Sequence, residues 1–274
     1  MRDHSNRTGG NELGSKELTR GAGVLLAITS LPSSYGIGTL GEAAFQFVDL
    51  LVDLKQRYWQ VLPMGPTCYG DSPYQSYSAF AGNPYFIDLE QLIQEGLLTE
   101  NECEEADFGD DDRYIAYDKI YKARFKVLKK AYERWKKEAK WTENVEKAGT
   151  KAEKMDHRQF LKSKLAPETR EYCFYMAVKD HFKSASWNKW DEDIRLRKTA
   201  AVEKYKKMLE DEMGFYEFQQ FQFNEQWSRL KAYANENGIQ IIGDIPIYVA
   251  FDGADSWAHP ELFQFDEECL PKAV

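Results

Sequence analysis

Apolar positions near the start of the chain switch from a continuous run to helical spacing and then to a strand pattern. Residues 24–28 (VLLAI) are continuously apolar, as in a parallel strand covered on both faces. Residues 42–55 place their apolar side chains on one face of a helix. Residues 58–64 (YWQVLPM) are rich in the aromatic and branched side chains that favour a strand. This order predicts a βαβ unit with two parallel strands and a right-handed crossover.

The same alternation returns near the other end of the sequence. Residues 215–237 have helical spacing, and Asn237 and Gly238 close that helix with residues that accept a left-handed conformation. Residues 239–249 (IQIIGDIPIYV) follow directly and predict a third buried strand.

Between these regions, helical patterns replace strand patterns from about residue 99. Residues 102–112 are acidic and predict a solvated connector, because their spacing lacks the alternating ligands of an EF-hand calcium loop. Residues 121–135 predict an amphipathic helix with its basic residues, Arg124 among them, on the wet faces. Its apolar stripe consists of Tyr121, Phe125, Leu128, Tyr132 and Trp135.

The helical region continues to residue 212 with interruptions. Residues 141–154 are charged and weakly patterned, which predicts a connector. Pro167 breaks the apolar pattern of residues 157–190, so we expect two helices there, and residues 201–212 predict another. No strand pattern occurs in this part of the sequence.

Strands that alternate with helices indicate an α/β fold. We expect an incomplete (β/α)8 TIM barrel, made of its first three strands and carrying a large helical insertion; a doubly wound sheet is the alternative. Residues 21–98 and 214–274 would form the N-terminal part of the barrel, residues 99–213 the insertion, and residues 1–20 a disordered tail. Three strands cannot close a barrel, so we expect exposed strand edges and apolar faces.

The overall composition narrows the class of partner. The formal net charge of −9 argues against binding to a nucleic-acid backbone, which depends on clustered positive charge. No stretch approaches the roughly 18 consecutive apolar residues of a membrane-spanning helix. The four cysteines lie far apart without a C-x-x-C pair, which predicts neither a zinc site nor a disulfide framework and favours a cytoplasmic location.

The loop that follows the second strand, residues 65–84, is the first candidate site. A structured loop this rich in rings and short polar groups is typical of a binding surface held by a rigid scaffold. A proline-stiffened surface loop is the alternative, and for Asp71 a turn-stabilising role is the alternative. The candidate substrate-binding residues of the loop are Tyr69, Asp71, Ser72 and Tyr74. Residues 85–89 then predict a short extended piece, within which Asp88 begins a helical pattern.

Asp244 is the second candidate. In α/β folds, ligands meet the loops beyond the carboxyl ends of the strands, which selects residues 29–38, residues 65–84, and Asp244 with its followers. Asp244 lies late in the third predicted strand, where an unpaired charge would be costly, so it should face a partner or a polar pocket. A structural aspartate that caps a loop is the alternative.

Neutral polar loops, aromatic rings and isolated carboxylates suit a sugar polymer. Aromatic rings stack on the apolar faces of glucose, while Asp, Ser and Asn side chains bind its hydroxyl groups. The four histidines have no metal-ligand spacing, and His259 is interpreted as a local hydrogen-bonding residue. No phosphate loop or dinucleotide fingerprint occurs, so we expect neither a cofactor nor a metal.

Three phrases carry a family resemblance: TSLPSSYGIGTLG, YWQVLPMGPTCYGDSPYQSYSAFAGNPYFIDL and GDIPIYVAFDGADSWAHPELFQFD. They resemble the 4-α-glucanotransferases (amylomaltases or disproportionating enzymes) of glycoside hydrolase family 77. The resemblance implies a (β/α)8 barrel that transfers α-1,4-glucan segments between malto-oligosaccharides. It implies a retaining reaction with a carboxylate nucleophile and a carboxylic acid, whose separation in such enzymes is about 5–5.5 Å.

The resemblance also assigns roles, and it includes departures. Tyr69, Asp71, Ser72 and Tyr74 match the loop that lines the glucan cleft, and Asp244 matches an aspartate that supports the site. The family's nucleophile and acid/base lie downstream of the strand holding Asp244, so we expect no catalytic carboxylate within residues 1–274. We accordingly expect residues 1–274 alone to be inactive on maltotriose. Cys68 and Gly253 stand where we expect glycine and serine.

Two other functions stay open on the sequence. A non-catalytic glucan-binding or regulatory protein would keep the cleft without the transfer activity. A helical scaffold built on the insertion would leave Tyr69 and Tyr74 unprotected by maltose. The oligomeric state is not predicted.

Overall fold

The structure, a computed structural model, describes residues 19–68, 70–111, 113–137, 157–267 and 269–272. Almost all of the predicted tail (1–20), the predicted connector 141–154 and the candidate residue Tyr69 lie outside the described residues. The predictions made for them stay predictions.

A small parallel sheet lies at one side of the molecule. Strands β1 (Gly23–Leu25), β2 (Tyr58–Gln60) and β3 (Gln240–Ile242) pair in that order, both pairs being parallel. Helix α1 (Glu42–Asp53) joins β1 to β2, with Ala44, Val48 and Leu51 buried beneath it. The predicted parallel βαβ unit and the third strand are therefore confirmed.

The prediction that the first strand is covered on both faces is wrong. All three residues of β1 are exposed, Leu25 by 54%. β1 lies at the edge of the sheet, where a strand has a pairing partner on one side only. The strand also ends earlier than predicted, because Ile28–Ser30 forms a single 3-10 turn.

The prediction of a buried strand over residues 239–249 is also wrong beyond Ile242. Gly243 and Pro246 interrupt the pattern: glycine weakens a strand, and proline cannot donate to a ladder. The following apolar side chains are open to solvent, with Ile245 exposed by 77% and Ile247 by 89%. Exposed apolar surface at the sheet matches the expectation for three strands that do not close a barrel.

The other regular elements of the described residues are helices. The α-helices that follow β2 are α2 (Leu89–Gln94), α3 (Glu100–Glu104), α4 (Tyr117–Lys137), α5 (His157–Lys164), α6 (Pro167–His181), α7 (Glu192–Arg195), α8 (Thr199–Met208), α9 (Glu210–Glu236) and α10 (Ala254–Ala258). Further single 3-10 turns cover Pro84–Phe86, Trp187–Lys189 and Pro260–Leu262. The break predicted at Pro167 is confirmed, since α6 begins there. Gly238 follows α9 with φ of +80°, as predicted for the helix end.

The start of the helical region differs from its prediction in two places. Of the predicted extended piece 85–89, only Ile87 and Asp88 have extended backbone, because Tyr85 and Phe86 lie in a 3-10 turn that Asn83 caps through its side chain. Asp88 caps α2 as predicted. Part of the acidic run is a helix rather than a connector. Thr99 and Glu102 form a reciprocal capping box at the start of α3.

The prediction that Arg124 lies on a wet face of its helix is wrong. Arg124 is fully buried on α4 and donates to the backbone carbonyl of Ile87. Burial lowers the pKa of its guanidinium to about 10. A basic residue inside a lysine-rich run thus connects α4 to the segment before α2, which the helical pattern alone does not indicate.

Two apolar cores meet along α9. The first packs α1, α4, α5 and the sheet around residues such as Trp59, Leu51 and Phe218. The second packs α6, α8 and α10 around residues such as Phe174 and Trp257. Since α9 contributes side chains to both cores, this 27-residue helix links the sheet to the helical region.

Candidate functional site

The three segments that follow the strands lie next to one another. We call residues 29–38, 65–84 and 243–249 the candidate cleft. A cavity of about 90 Å³ separates the first two segments, and a groove of about 330 Å³ separates the second from the third. Helix α9 also lines this groove, through Phe223, Asn224 and Trp227.

Tyr74 and Asp244 join the second and third segments across 170 residues of sequence. The Tyr74 hydroxyl donates to Oδ2 of Asp244 at 2.8 Å. The other carboxylate oxygen, Oδ1, accepts from the backbone N–H of Ile245, also at 2.8 Å. The hydrogen bond to Asp244 raises the pKa of the Tyr74 phenol. Asp244 lies beyond β3 rather than inside a strand, and it has the polar partner that its sequence position predicted.

Asp71 faces the first segment instead. Its backbone adopts the left-handed region with φ of +54°, which aspartate tolerates better than most residues. Its side chain lines the 90 Å³ cavity together with Tyr85 and Tyr117. Burial raises the pKa of the Asp71 carboxyl. Asp71 therefore lines a different cavity from the groove that Asp244 lines.

Ser72 shapes the tip of the loop. Its carbonyl accepts from the backbone N–H of Gln75 at 3.0 Å, and its hydroxyl accepts from the backbone N–H of Tyr74 at 3.3 Å. Antiparallel pairing of Thr67 with Ser76 forms the stem of the loop. Ser72 thus orients the Tyr74 backbone in the described geometry.

Buried glutamines of α9 bind the backbone of the loop and of the residue that caps α2. They were not among the predicted site residues. The Gln220 amide exchanges two hydrogen bonds with the backbone of Gly82, both at 2.8 Å. The Gln226 amide does the same with Asp88, at 2.7 and 3.2 Å. The signal was available, because glutamines recur among phenylalanines in FQQFQFNEQW, at positions that a helix buries.

Asp255, also missed, fixes the end of the same loop. Its carboxylate accepts from the backbone N–H of Ala79 at 2.7 Å and from the Ser78 hydroxyl at 3.2 Å. Burial raises the pKa of Asp255, although both hydrogen bonds oppose the increase.

This raised pKa predicts a pH-dependent stability. Because the pKa of Asp255 is raised in the folded state, the folded chain binds a proton at this carboxyl more tightly than the unfolded chain does. The resulting stabilisation is complete below the pKa of the unfolded state and is lost as pH rises through the pKa of the folded state. We expect the free energy of unfolding of the wild type, relative to D255N, to fall as pH rises from about 4 to 7. Urea unfolding across this pH range measures the difference.

The Glu102→Gln variant is the control with the opposite sign. Arg134 lowers the pKa of Glu102, so the contribution of this carboxylate is present above the unfolded pKa and is lost as pH falls. A difference between the wild type and D255N that does not change with pH would contradict the assignment to Asp255.

The described residues show no cluster of three or more His, Cys, Asp or Glu side chains able to hold a metal ion. His259 pairs locally with Glu261, Nδ1 lying 3.2 Å from Oε1, as its sequence position predicted. No helix in the described ranges is long and apolar enough to cross a membrane.

Comparison with known proteins identifies the relatives of this chain. A family profile described as 4-alpha-glucanotransferase, of glycoside hydrolase family 77, matches residues 26–270. A 4-alpha-glucanotransferase of Streptococcus pneumoniae is 47% identical over 248 residues, which cover 90% of this chain and 46% of that protein. The 4-alpha-glucanotransferase of Thermus thermophilus is 42% identical, with 94% and 48% covered. The chain spans about half the length of these curated relatives.

A solved structure gives the same answer. The amylomaltase from Streptococcus agalactiae, in complex with acarbose, superimposes with a TM-score of 0.84 at 38% identity. The match covers 93% of this chain and 49% of the amylomaltase. With the profile matching most of the sequence, the chain belongs to glycoside hydrolase family 77, the 4-α-glucanotransferase family.

Proposed function

We propose that the whole protein is a 4-α-glucanotransferase, which transfers α-1,4-glucan segments between malto-oligosaccharides by a retaining double displacement. Family membership supports the reaction class. The observation that carries the proposal is the contact between Tyr74 and Asp244, since it couples two of the three strand-following segments and its aspartate lines the groove between them. The acarbose complex of the S. agalactiae amylomaltase supports a sugar ligand.

In this proposal the candidate cleft binds the glucan. Tyr74, with 47% of its surface exposed, offers a ring face for stacking while its hydroxyl holds Asp244. Asp244 supports the site by accepting hydrogen bonds and does not act as the nucleophile. Tyr69, Asp71 and Ser72 complete the set of substrate-binding residues, with Ser72 acting also through the loop conformation.

The parallel sheet supports our proposal that the fold is a (β/α)8 barrel with a helical insertion. Three parallel strands, with α1 crossing between the first two and α9 leading into the third, are the arrangement expected at the start of a (β/α)8 barrel. Residues 21–98 and 214–274 would be barrel, and residues 99–213 the insertion. A cytoplasmic location is supported by the wide spacing of the four cysteines, which contain no C-x-x-C pair.

The proposal predicts a loss of activity when the Tyr74–Asp244 contact is removed. Tyr74→Phe in the whole protein leaves the ring but takes away the hydrogen bond to a carboxylate. We expect kcat/KM for maltotriose disproportionation to fall about 10- to 100-fold, the effect of a hydrogen bond to a charged group. Glucose release and the appearance of longer oligomers measure the activity.

Tyr233→Phe is the matched control. The Tyr233 hydroxyl donates to Asp49 at 2.6 Å, a bond of the same chemistry on the outer surface between α1 and α9. Equal losses in the two variants would contradict a role for Tyr74 in the cleft. Glucan binding by the whole protein without any transfer would favour the non-catalytic glucan-binding alternative.

A further inference from the structure

A charged cluster lies between the segment that follows β3 and the helical region, with the Lys179 side chain buried and the Asp252 side chain 33% exposed. The Asp252 carboxylate accepts from the Lys179 ammonium at 2.6 Å and from the Tyr175 hydroxyl at 2.7 Å. It also accepts from the backbone N–H of Trp187 at 3.3 Å. The Lys179 side chain is only 3% exposed, so its charge depends on this carboxylate for compensation.

The residues around Asp252 also contact the second segment of the candidate cleft. The backbone N–H of Ala254 donates to the carbonyl of Tyr77 at 2.7 Å. The Lys179 ammonium lies 5.3 Å from the centre of the Tyr77 ring. The Trp187 indole donates to the carbonyl of Phe251 at 2.7 Å. Residues 251–255 therefore connect the second segment of the candidate cleft, residues 65–84, to α6 and to the 3-10 turn Trp187–Lys189.

The intervening residues 243–249 have little support of their own. They leave β3 at Ile242 and form no strand, and Ile247 and Tyr248 are 89% and 86% exposed. Their position is set by what holds each end, which is β3 on one side and the Asp252 cluster on the other. Asp244, whose carboxylate meets Tyr74, lies within this stretch.

We infer that Asp252 is a positioning residue: by binding Lys179, Tyr175 and the Trp187 backbone, it holds residues 243–249 where Asp244 meets Tyr74. Asp252 lies outside the candidate cleft and acts through the chain. The expected effect of Asp252 on activity rests on the proposed function. Its expected effect on the order of residues 243–249 does not.

The test replaces Asp252 by asparagine in the whole protein. Asparagine keeps an acceptor for Tyr175 and Trp187 but leaves the Lys179 charge without compensation. Below the unfolding temperature, we expect faster amide hydrogen exchange at Ile245 and Ala254, whose N–H groups donate to Asp244 and Tyr77, and unchanged exchange in α1. We also expect kcat/KM for maltotriose to fall about 10- to 100-fold, as for a misplaced site residue.

Two further variants make the result decisive. Asp252→Asn with Lys179→Met leaves no uncompensated charge, so it should fold even where the single variant does not and should recover part of the lost protection at Ile245 and Ala254. Glu102→Gln is the matched control, since it breaks an ion pair to Arg134 at 3.1 Å that is remote from this segment.

The outcomes separate the two proposals. Faster exchange at Ile245 and Ala254 with unchanged exchange in α1, absent in E102Q, supports the positioning role even if the wild type proves inactive on maltotriose. Inactivity of the wild type would refute the proposed function alone. Exchange that is unchanged in both Asp252 variants, or faster throughout the protein to the same degree, would overturn the positioning role.

Discussion

Replacing Glu217 by alanine should lower the free energy of unfolding by about 3–5 kcal/mol, because it leaves the Arg158 guanidinium buried without a counter-charge. Glu217 lies on α9 and Arg158 on α5, with Oε2 and Nε separated by 2.9 Å. The two side chains are 1% and 7% exposed. Burial raises the pKa of Glu217 while Arg158 opposes that change, as expected for a carboxylate whose ionised form depends on its partner.

Urea unfolding of the single and double variants tests this ion pair. Arg158→Met combined with Glu217→Leu removes both charges and fills the space with apolar atoms, so it should cost less than Glu217→Ala alone. Asp193→Ala, which removes an exposed partner of Lys198, should leave the unfolding midpoint unchanged. If the double variant were less stable than Glu217→Ala, uncompensated charge would not be the cause.

The parallel order of the sheet could be predicted because it depends on local pattern and general topology. A strand, a helix and another strand within residues 23–60 permit few arrangements, and the parallel one is observed. Pro167 and Asp88 act on the backbone directly, and both helix starts were predicted correctly. In each case the physical cause lies within a few residues of its effect.

The errors arise where burial depends on distant partners. The apolar character of residues 24–28 and 239–249 predicts burial, yet it does not show whether another element covers them. Arg124 is charged and lies in a lysine-rich helix, and both properties are typical of a surface residue. Its burial follows from how α4 packs near Ile87. Arg124 lies four residues before Leu128 on the buried face of α4, so the periodicity favoured burial while the charge favoured exposure.

The candidate cleft was predictable in part for a topological reason. The carboxyl ends of parallel strands meet at one edge, so Tyr74 and Asp244 could be expected near each other despite their separation in sequence. The supporting residues Asp252 and Asp255 were missed because their partners are backbone groups and side chains from distant elements. Hydrogen-bond partners of this kind leave no spacing rule in the sequence.

Trp257→Ala is expected to lower the free energy of unfolding by about 3–5 kcal/mol, the usual cost of removing a large buried aromatic side chain. Trp257 lies on α10 and is 1% exposed. Its ring centre is 5.4 Å from that of Phe174 and 5.3 Å from that of Trp190. The Arg197 guanidinium lies 4.3 Å from the ring centre, and the indole N–H donates to the backbone carbonyl of Ile194.

Because α10 follows the segment that carries Asp244, this substitution also tests whether the second core supports the candidate cleft. Urea unfolding measures the stability, and Trp257→Phe, which keeps an aromatic ring, should lose clearly less than Trp257→Ala. Tyr114→Ala, at a position with 76% of its surface exposed, is the control and should leave the unfolding midpoint unchanged. A Trp257→Ala protein as stable as the Tyr114→Ala protein would show that α10 does not depend on this core, and the Asp252 cluster would then have to hold the segment without it.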